Sequence, residues 1–171
     1  ATEGCTVQDA RVIHQVIDAG CGLIVVANKW DRLDAQEAGA RKFTRDLHDR
    51  FPFLEDYPLL PVSALTGRGV HRCLEQAVRV QDERSKRVLT SRLNAFFTEL
   101  ARSRPPPGGT RELRLLYATQ YAVRPPSFAV FVNHTESLSE GYRRFVEKQL
   151  RQEFGFQGSP MRLSWRRRRT R

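Results

Sequence analysis

Apolar positions recur at helical spacing from the start of the chain and then condense into short continuous runs. Ile13, Val16 and Ile17 share one helical face. Thr6-Val7-Gln8-Asp9 opens that helix as a capping box and Gly20 closes it. The run Leu23-Ile24-Val25-Val26-Ala27 comes next. Unbroken, short and ending in polar residues, it predicts a strand buried on both faces of a parallel sheet. Asp34 with Glu37 predicts a second helix, with Ala40, Phe43, Leu47 and Phe51 as its stripe and Pro52 as its end. Pro58-Leu59-Leu60-Pro61-Val62-Ser63-Ala64 predicts a second strand, although proline tolerates only strand ends, edges and bulges. Gly67 and Gly69 lead into a helix with Val70, Leu74, Ala77 and Val78 on one face. Helix, strand, helix, strand, helix implies parallel strands joined by right-handed crossovers.

The pattern changes near Gln81. Leu89, Leu93, Phe96, Phe97 and Leu100 predict an amphipathic helix over residues 84–102, broken by Pro105-Pro106-Pro107-Gly108-Gly109. Leu113, Leu115, Tyr117 and Thr119 alternate as a strand, Arg124-Pro125-Pro126-Ser127 turns, and residues 128–132 form a second strand. Ser137 and Glu140 predict a cap for a helix using Leu138, Tyr142, Phe145, Val146 and Leu150. Gly155-Phe156-Gln157-Gly158 is a turn before Met161, Leu163 and Trp165 alternate in a last strand. Phe96, Phe97, Phe128, Phe131 and Phe145 all fit core periodicity.

The net charge of +10 over 171 residues is unevenly distributed. Residues 1–82 carry 10 Lys/Arg against 12 Asp/Glu, and residues 83–171 carry 19 against 7. The split predicts two modules, the second meeting a polyanion. No apolar run is long enough to span a membrane, and the N-terminal residues lack a signal-peptide layout, which predicts a cytoplasmic location. Cys5, Cys21 and Cys73 match no disulfide or C-x-x-C pattern and read as ordinary thiols. His14, His48, His71 and His134 are scattered, without ligand spacing.

Chemistry concentrates after the first apolar run. In open α/β sheets ligands sit beyond the carboxyl ends of strands, and there the chain places Asn28-Lys29-Trp30-Asp31. This is the N-K-x-D pattern with which P-loop GTPases read guanine. A carboxylate at Asp31 can accept from guanine N1–H and the exocyclic amine, a donor pair that adenine lacks. Asn28 can tie neighbouring loops, and the Lys29 stem can lie over the base. Alone, the four letters are common and fit a solvated loop; the preceding strand favours the nucleotide reading. Ser63-Ala64-Leu65, one crossover later, matches the S-A-x loop whose Ala N–H meets guanine O6.

With these motifs the chain is similar to the Der (EngA) family of bacterial GTPases, two tandem G domains followed by a KH-like domain. The matching stretches are Ala1-Thr2-Glu3-Gly4, Asn28-Lys29-Trp30-Asp31, Pro61-Val62-Ser63-Ala64 and Gly67-x-Gly69. Further on they are Ala118-Thr119-Gln120, Arg124-Pro125-Pro126-Ser127-Phe128, Phe131-Val132-Asn133, Tyr142-Arg143-Arg144 and Phe154-Gly155-Phe156-x-Gly158-x-Pro160. The resemblance implies an α/β fold: a partial P-loop GTPase domain with a Rossmann-like parallel sheet (1–82), a small α+β KH-like domain (83–165) and an arginine-rich tail (166–171). It implies binding and hydrolysis of GTP to GDP, with Mg²⁺ in the full-length protein. Its partners would be ribosomal RNA and the large ribosomal subunit, whose maturation the family serves.

One departure limits this. The chain has no G-x-x-x-x-G-K-[ST] and no D-x-x-G, so the phosphate cradle and the switches are missing. We therefore expect a fragment lacking an N-terminal G domain and the front of the second, and inactive by itself. Arg166, Arg167, Arg168, Arg169 and Arg171 read as a solvated, disordered tail that can still neutralise RNA phosphates. Gly155-x-x-Gly158 resembles the G-x-x-G clamp of KH domains, but it joins a helix to a strand and reads as a plain turn. The rival function is a non-catalytic RNA-binding module carrying a remnant G domain.

Overall fold

The structure, a computed structural model, describes residues 6–32, 37–105, 114–136 and 138–168, with the backbone alone at 37–40. Expectations placed on Ala1-Thr2-Glu3-Gly4, Cys5, Asp34, residues 106–113, Ser137, Arg169 and Arg171 lie outside the described residues, as do those on the side chains of Glu37 and Ala40. Two compact units are present: Ala1–Arg84 with Gln157–Pro160, and Ser85–Phe156 with Met161–Arg171.

In the first unit, α1 (Val7–Asp18) begins at the expected capping box. Thr6 Oγ1 accepts from Asp9 N at 3.2 Å while Thr6 N donates to Asp9 Oδ2 at 2.8 Å. Thr6 N, and then the Thr6 hydroxyl donating to the same Oδ2 at 2.8 Å, hold the Asp9 carboxyl below its ordinary pKa. Gly20, at φ 73°, stops the helix. Strand β1 (Val25–Ala27) pairs in parallel with β2 (Leu59–Pro61), Val26 opposite Leu60. Pro58 sits just before β2, where only its carbonyl is needed, and accepts from Val25 N at 2.8 Å. Helix α2 (Glu37–Arg50) buries Leu47 and leads to Phe51 and Leu54 in a core with Ala10 and Tyr57.

Two expectations for this unit fail. Val26 is 46% exposed, so β1 is not buried on both faces. A groove of about 350 Å³, lined by Val12, Ile13, Leu23, Phe43 and Leu47, runs beside it. Helix α3 (His71–Ser85) buries Val80, whereas Leu74 and Val78, on the face expected to be inside, are 77% and 61% exposed. Val80 faces two glycines: a Cβ on Gly158 would lie 2.5 Å from Val80 Cγ2, and one on Gly22 2.8 Å from Cγ1. The Gly155-to-Gly158 segment is thus a turn whose end packs inside this unit, Gly158 N donating to Asp56 O and its carbonyl accepting from Leu23 N.

The second unit covers one face of a three-stranded sheet with two helices. Strands β3 (Leu115–Ala122) and β4 (Ser127–Val132) are antiparallel, and β5 (Arg162–Arg167) runs parallel to β4 on its other side. Helices α4 (Thr90–Ser103) and α5 (Glu140–Phe154) supply Leu93, Phe97, Leu100, Tyr142, Val146 and Leu150 to a core with Ala118, Phe128, Val130, Val132 and Phe156. The helix expected over 84–102 is interrupted, with α3 running to Ser85 and α4 starting at Thr90. Buried Gln120 explains the break: its side chain accepts from Val88 N at 2.8 Å and donates to Lys86 O at 3.0 Å, satisfying backbone groups a helix would otherwise pair. Asn94 likewise holds β3, its carboxamide donating to Ala118 O at 3.0 Å and accepting from Ala118 N at 2.8 Å. The α5 cap is Ser139, which accepts from Tyr142 N at 3.2 Å.

Candidate functional site

Beyond β1 and β2 the parallel pairing continues as two bonds, Val62 N to Ala27 O and Trp30 N to Val62 O, both 3.0 Å. They bring the Asn28–Asp31 loop beside the Ser63–Leu65 loop, uniting the predicted residues at one end of the sheet. Lys29 takes a left-handed φ of 62°, and Trp30–Arg32 then turns as a 3₁₀ helix. Trp30 packs edge-on against Phe43 at 5.4 Å, which ties the loop to α2.

Two cross-loop bonds set the geometry. Asn28 Oδ1 accepts from Ala64 N at 3.0 Å and from Lys29 N at 2.7 Å, so this carboxamide fastens one loop to the other. The buried Ser63 hydroxyl donates to Asp31 Oδ1 and accepts from Thr66 N at 3.2 Å. Ser63 N donates to Arg68 O at 2.9 Å, closing the turn that Gly67 and Gly69 make at φ 75° and 77°. The Ser63 donor holds the Asp31 carboxyl below its usual pKa, against a smaller opposing effect of burial. Asp31 is therefore an ionised, exposed acceptor whose orientation is fixed from below. A carboxylate has about four lone-pair positions, and one bond from Ser63 leaves room for two parallel donors.

Ala64, Leu65 and the first arginines are placed as follows. Ala64 N–H, expected to meet O6 of a base, donates instead to Asn28 Oδ1. The Leu65 side chain is 85% exposed. Arg166 and Arg167 are not tail: they pair with Phe131 and Val132 in β5, and Arg168 N donates to Val132 O at 2.9 Å. The parallel ladder to β4 orders these positions against the disorder their charge predicts. Sequence reasoning missed the Trp30–Phe43 anchor and the Thr66 bond to Ser63, for which helical spacing carries no signal.

Among the described residues no group of three His, Cys, Asp or Glu side chains could hold a metal ion. No described helix is long and apolar enough to cross a membrane.

Residues 87–166 match the KH-domain-like model of EngA bacterial GTPase enzymes, C-terminal, and residues 1–83 match the elongation factor Tu GTP binding domain. GTPase Der of Synechococcus sp. (strain RCC307) is 42% identical over 97% of this chain and 37% of its own length. GTPase Der of Thermoanaerobacter pseudethanolicus is 39% identical over 98% of this chain and 38% of its own. That of Desulfitobacterium hafniense (strain DSM 10664 / DCB-2) is 40% identical over 95% and 37%. The chain thus spans somewhat over a third of the length of these curated relatives.

Proposed function

The chain belongs to the Der (EngA) family of GTPases, and on that premise we propose that it supplies the guanine-reading rim and an RNA-binding KH-like module to a protein that binds and hydrolyses GTP during assembly of the large ribosomal subunit. The observation that carries the first part is the bond from Ser63 to Asp31. It fixes an ionised acceptor beside the loop bearing Ala64, where N1–H and the C2 amine of guanine can be met together. Asn28 holds the two loops in register, and the Lys29 stem covers the base. Presenting Ala64 N–H to O6 requires it to leave Asn28 Oδ1, so base binding exchanges one acceptor for another.

Residues 1–82 would form the back of a G domain, 83–165 the KH-like module, and the arginines from 166 its basic end. The exposed Val26, Leu74 and Val78 support a larger domain whose remaining elements cover them. These 171 residues contain no phosphate-binding loop of the G-x-x-x-x-G-K-[ST] type. Mg²⁺ and the γ-phosphate would be held by elements outside this sequence. The excess of positive charge in residues 83–171 supports an RNA partner, and the family assignment supports a cytoplasmic setting.

The test is titration with fluorescent GDP and ADP of the protein carrying the upstream G-domain elements. Guanine should be preferred, and Asp31→Ala should abolish the preference without unfolding the chain. Equal discrimination by Asp31→Ala would refute the reading and favour the remnant-domain alternative.

A further inference from the structure

The helices of the second unit occupy one face of its sheet, and the residues on the other face are of a different kind. Side chains alternate along strands; Ala118, Phe128, Val130 and Val132 enter the core, so Tyr117, Thr119, Ala129, Phe131, Ser164 and Arg166 point the opposite way. Tyr117 and Phe131 stack across β3 and β4 with ring centres 4.2 Å apart and planes 11° apart. Tyr121 reaches across β4 toward β5, its hydroxyl 3.5 Å from Ser164 Oγ and its ring 5.7 Å from the Arg166 guanidinium carbon. Tyr117 and Tyr121 remain 40% and 49% exposed. Register shifts on either side of residues 117–120 set which β3 side chains face outward, and alternation with Phe128, Val130 and Val132 puts Phe131 on the same outer face of β4.

We propose that this face is a stacking platform for single-stranded nucleic acid, bases lying on Tyr117 and Tyr121 while Arg166 and its neighbours meet the phosphates. The proposal rests on the RNA reading above and deepens it by naming the surface and the strandedness. Three features favour this occupant over a protein. The outward positions paired across the three strands hold rings, small side chains and arginine, with no carboxylate. Arg166 lies at one end of this face, just before the basic residues that end the described chain, and among the described residues it has no ion-pair partner. Every base offers a π-face to an aromatic, and removing one such stack weakens binding by about 5- to 150-fold.

The test is fluorescence anisotropy of the full chain with a fluorescein-labelled U12 oligonucleotide. The Tyr117→Ser/Tyr121→Ser variant should bind at least about tenfold more weakly, Tyr117→Phe/Tyr121→Phe should bind as wild type, and a U12 duplex with A12 should compete poorly. Photocrosslinking of wild type to 4-thiouridine RNA should label peptides containing Tyr117 or Tyr121, a readout that needs no variant to fold. Full binding by the serine variant, or crosslinks confined to other segments, would overturn the platform. If Arg168→Gln/Arg169→Gln/Arg171→Gln alone lost binding, the RNA reading would survive with the tail as its site. Failure of wild type to bind U12 at low salt would sink both.

Discussion

The hydroxyl of buried Ser63 donates to Oδ1 of Asp31, 32 residues earlier in the chain. Removing it leaves the carboxylate in place but no longer aimed. Ser63→Ala should weaken guanine nucleotide binding by about tenfold, the size of one charge-assisted hydrogen bond. It should also let the Asp31 pKa rise toward its ordinary value, read by carboxyl ¹³C NMR titration. Because the folded pKa is depressed, the bond's contribution is present at neutral pH and is lost as pH falls through that depressed value. An unchanged Asp31 titration in Ser63→Ala would contradict the geometry.

Asn94→Leu should be severe. It strands the N–H and C=O of Ala118, a residue with no solvent exposure, and each orphaned backbone group costs about 1–3 kcal/mol. Urea denaturation should show a loss of about 2–6 kcal/mol with the slope unchanged.

Gly158→Ala combines a left-handed φ of 75° with a Cβ 2.5 Å from Val80 Cγ2. The steric part should be relieved by Val80→Ala in the same chain and the backbone part should not, leaving about 1–2 kcal/mol. A double-mutant cycle by thermal denaturation separates the two; additivity would show that Val80 does not set the limit.

Tyr142 should titrate late. Burial pushes its phenol up to about 12, and its hydroxyl donates to Arg104 O at 3.3 Å. A raised folded pKa holds the proton more tightly than the unfolded chain does. The contribution is therefore complete below about pH 10, the ordinary tyrosine value, and disappears as pH climbs toward about 12. Ultraviolet difference titration of wild type against Tyr142→Phe reads it directly.

How much of this was legible in the sequence varied with the range of the interaction responsible. The Thr6–Asp9 cap, the Gly20 stop and the joining of Asn28, Asp31 and Ser63 at one sheet end follow from local chemistry and strand order, and the sequence carries them. The break between α3 and α4 does not, because it is set by Gln120, some thirty residues away. Phe131, expected in the core, alternates with Val130 and Val132 and stacks on Tyr117 outside it; a register shift in β3 puts Tyr117 there. The same limit applies to α3, whose buried face is chosen by Gly22 and Gly158 meeting Val80 rather than by its own periodicity.

The carboxamide of Asn94 imitates a neighbouring peptide unit. It meets both polar groups of Ala118 as another β-strand would, so the middle of β3 offers no free pair to an incoming chain. One side chain thus caps the centre of that edge. A chain approaching that edge finds the ladder already occupied at Ala118.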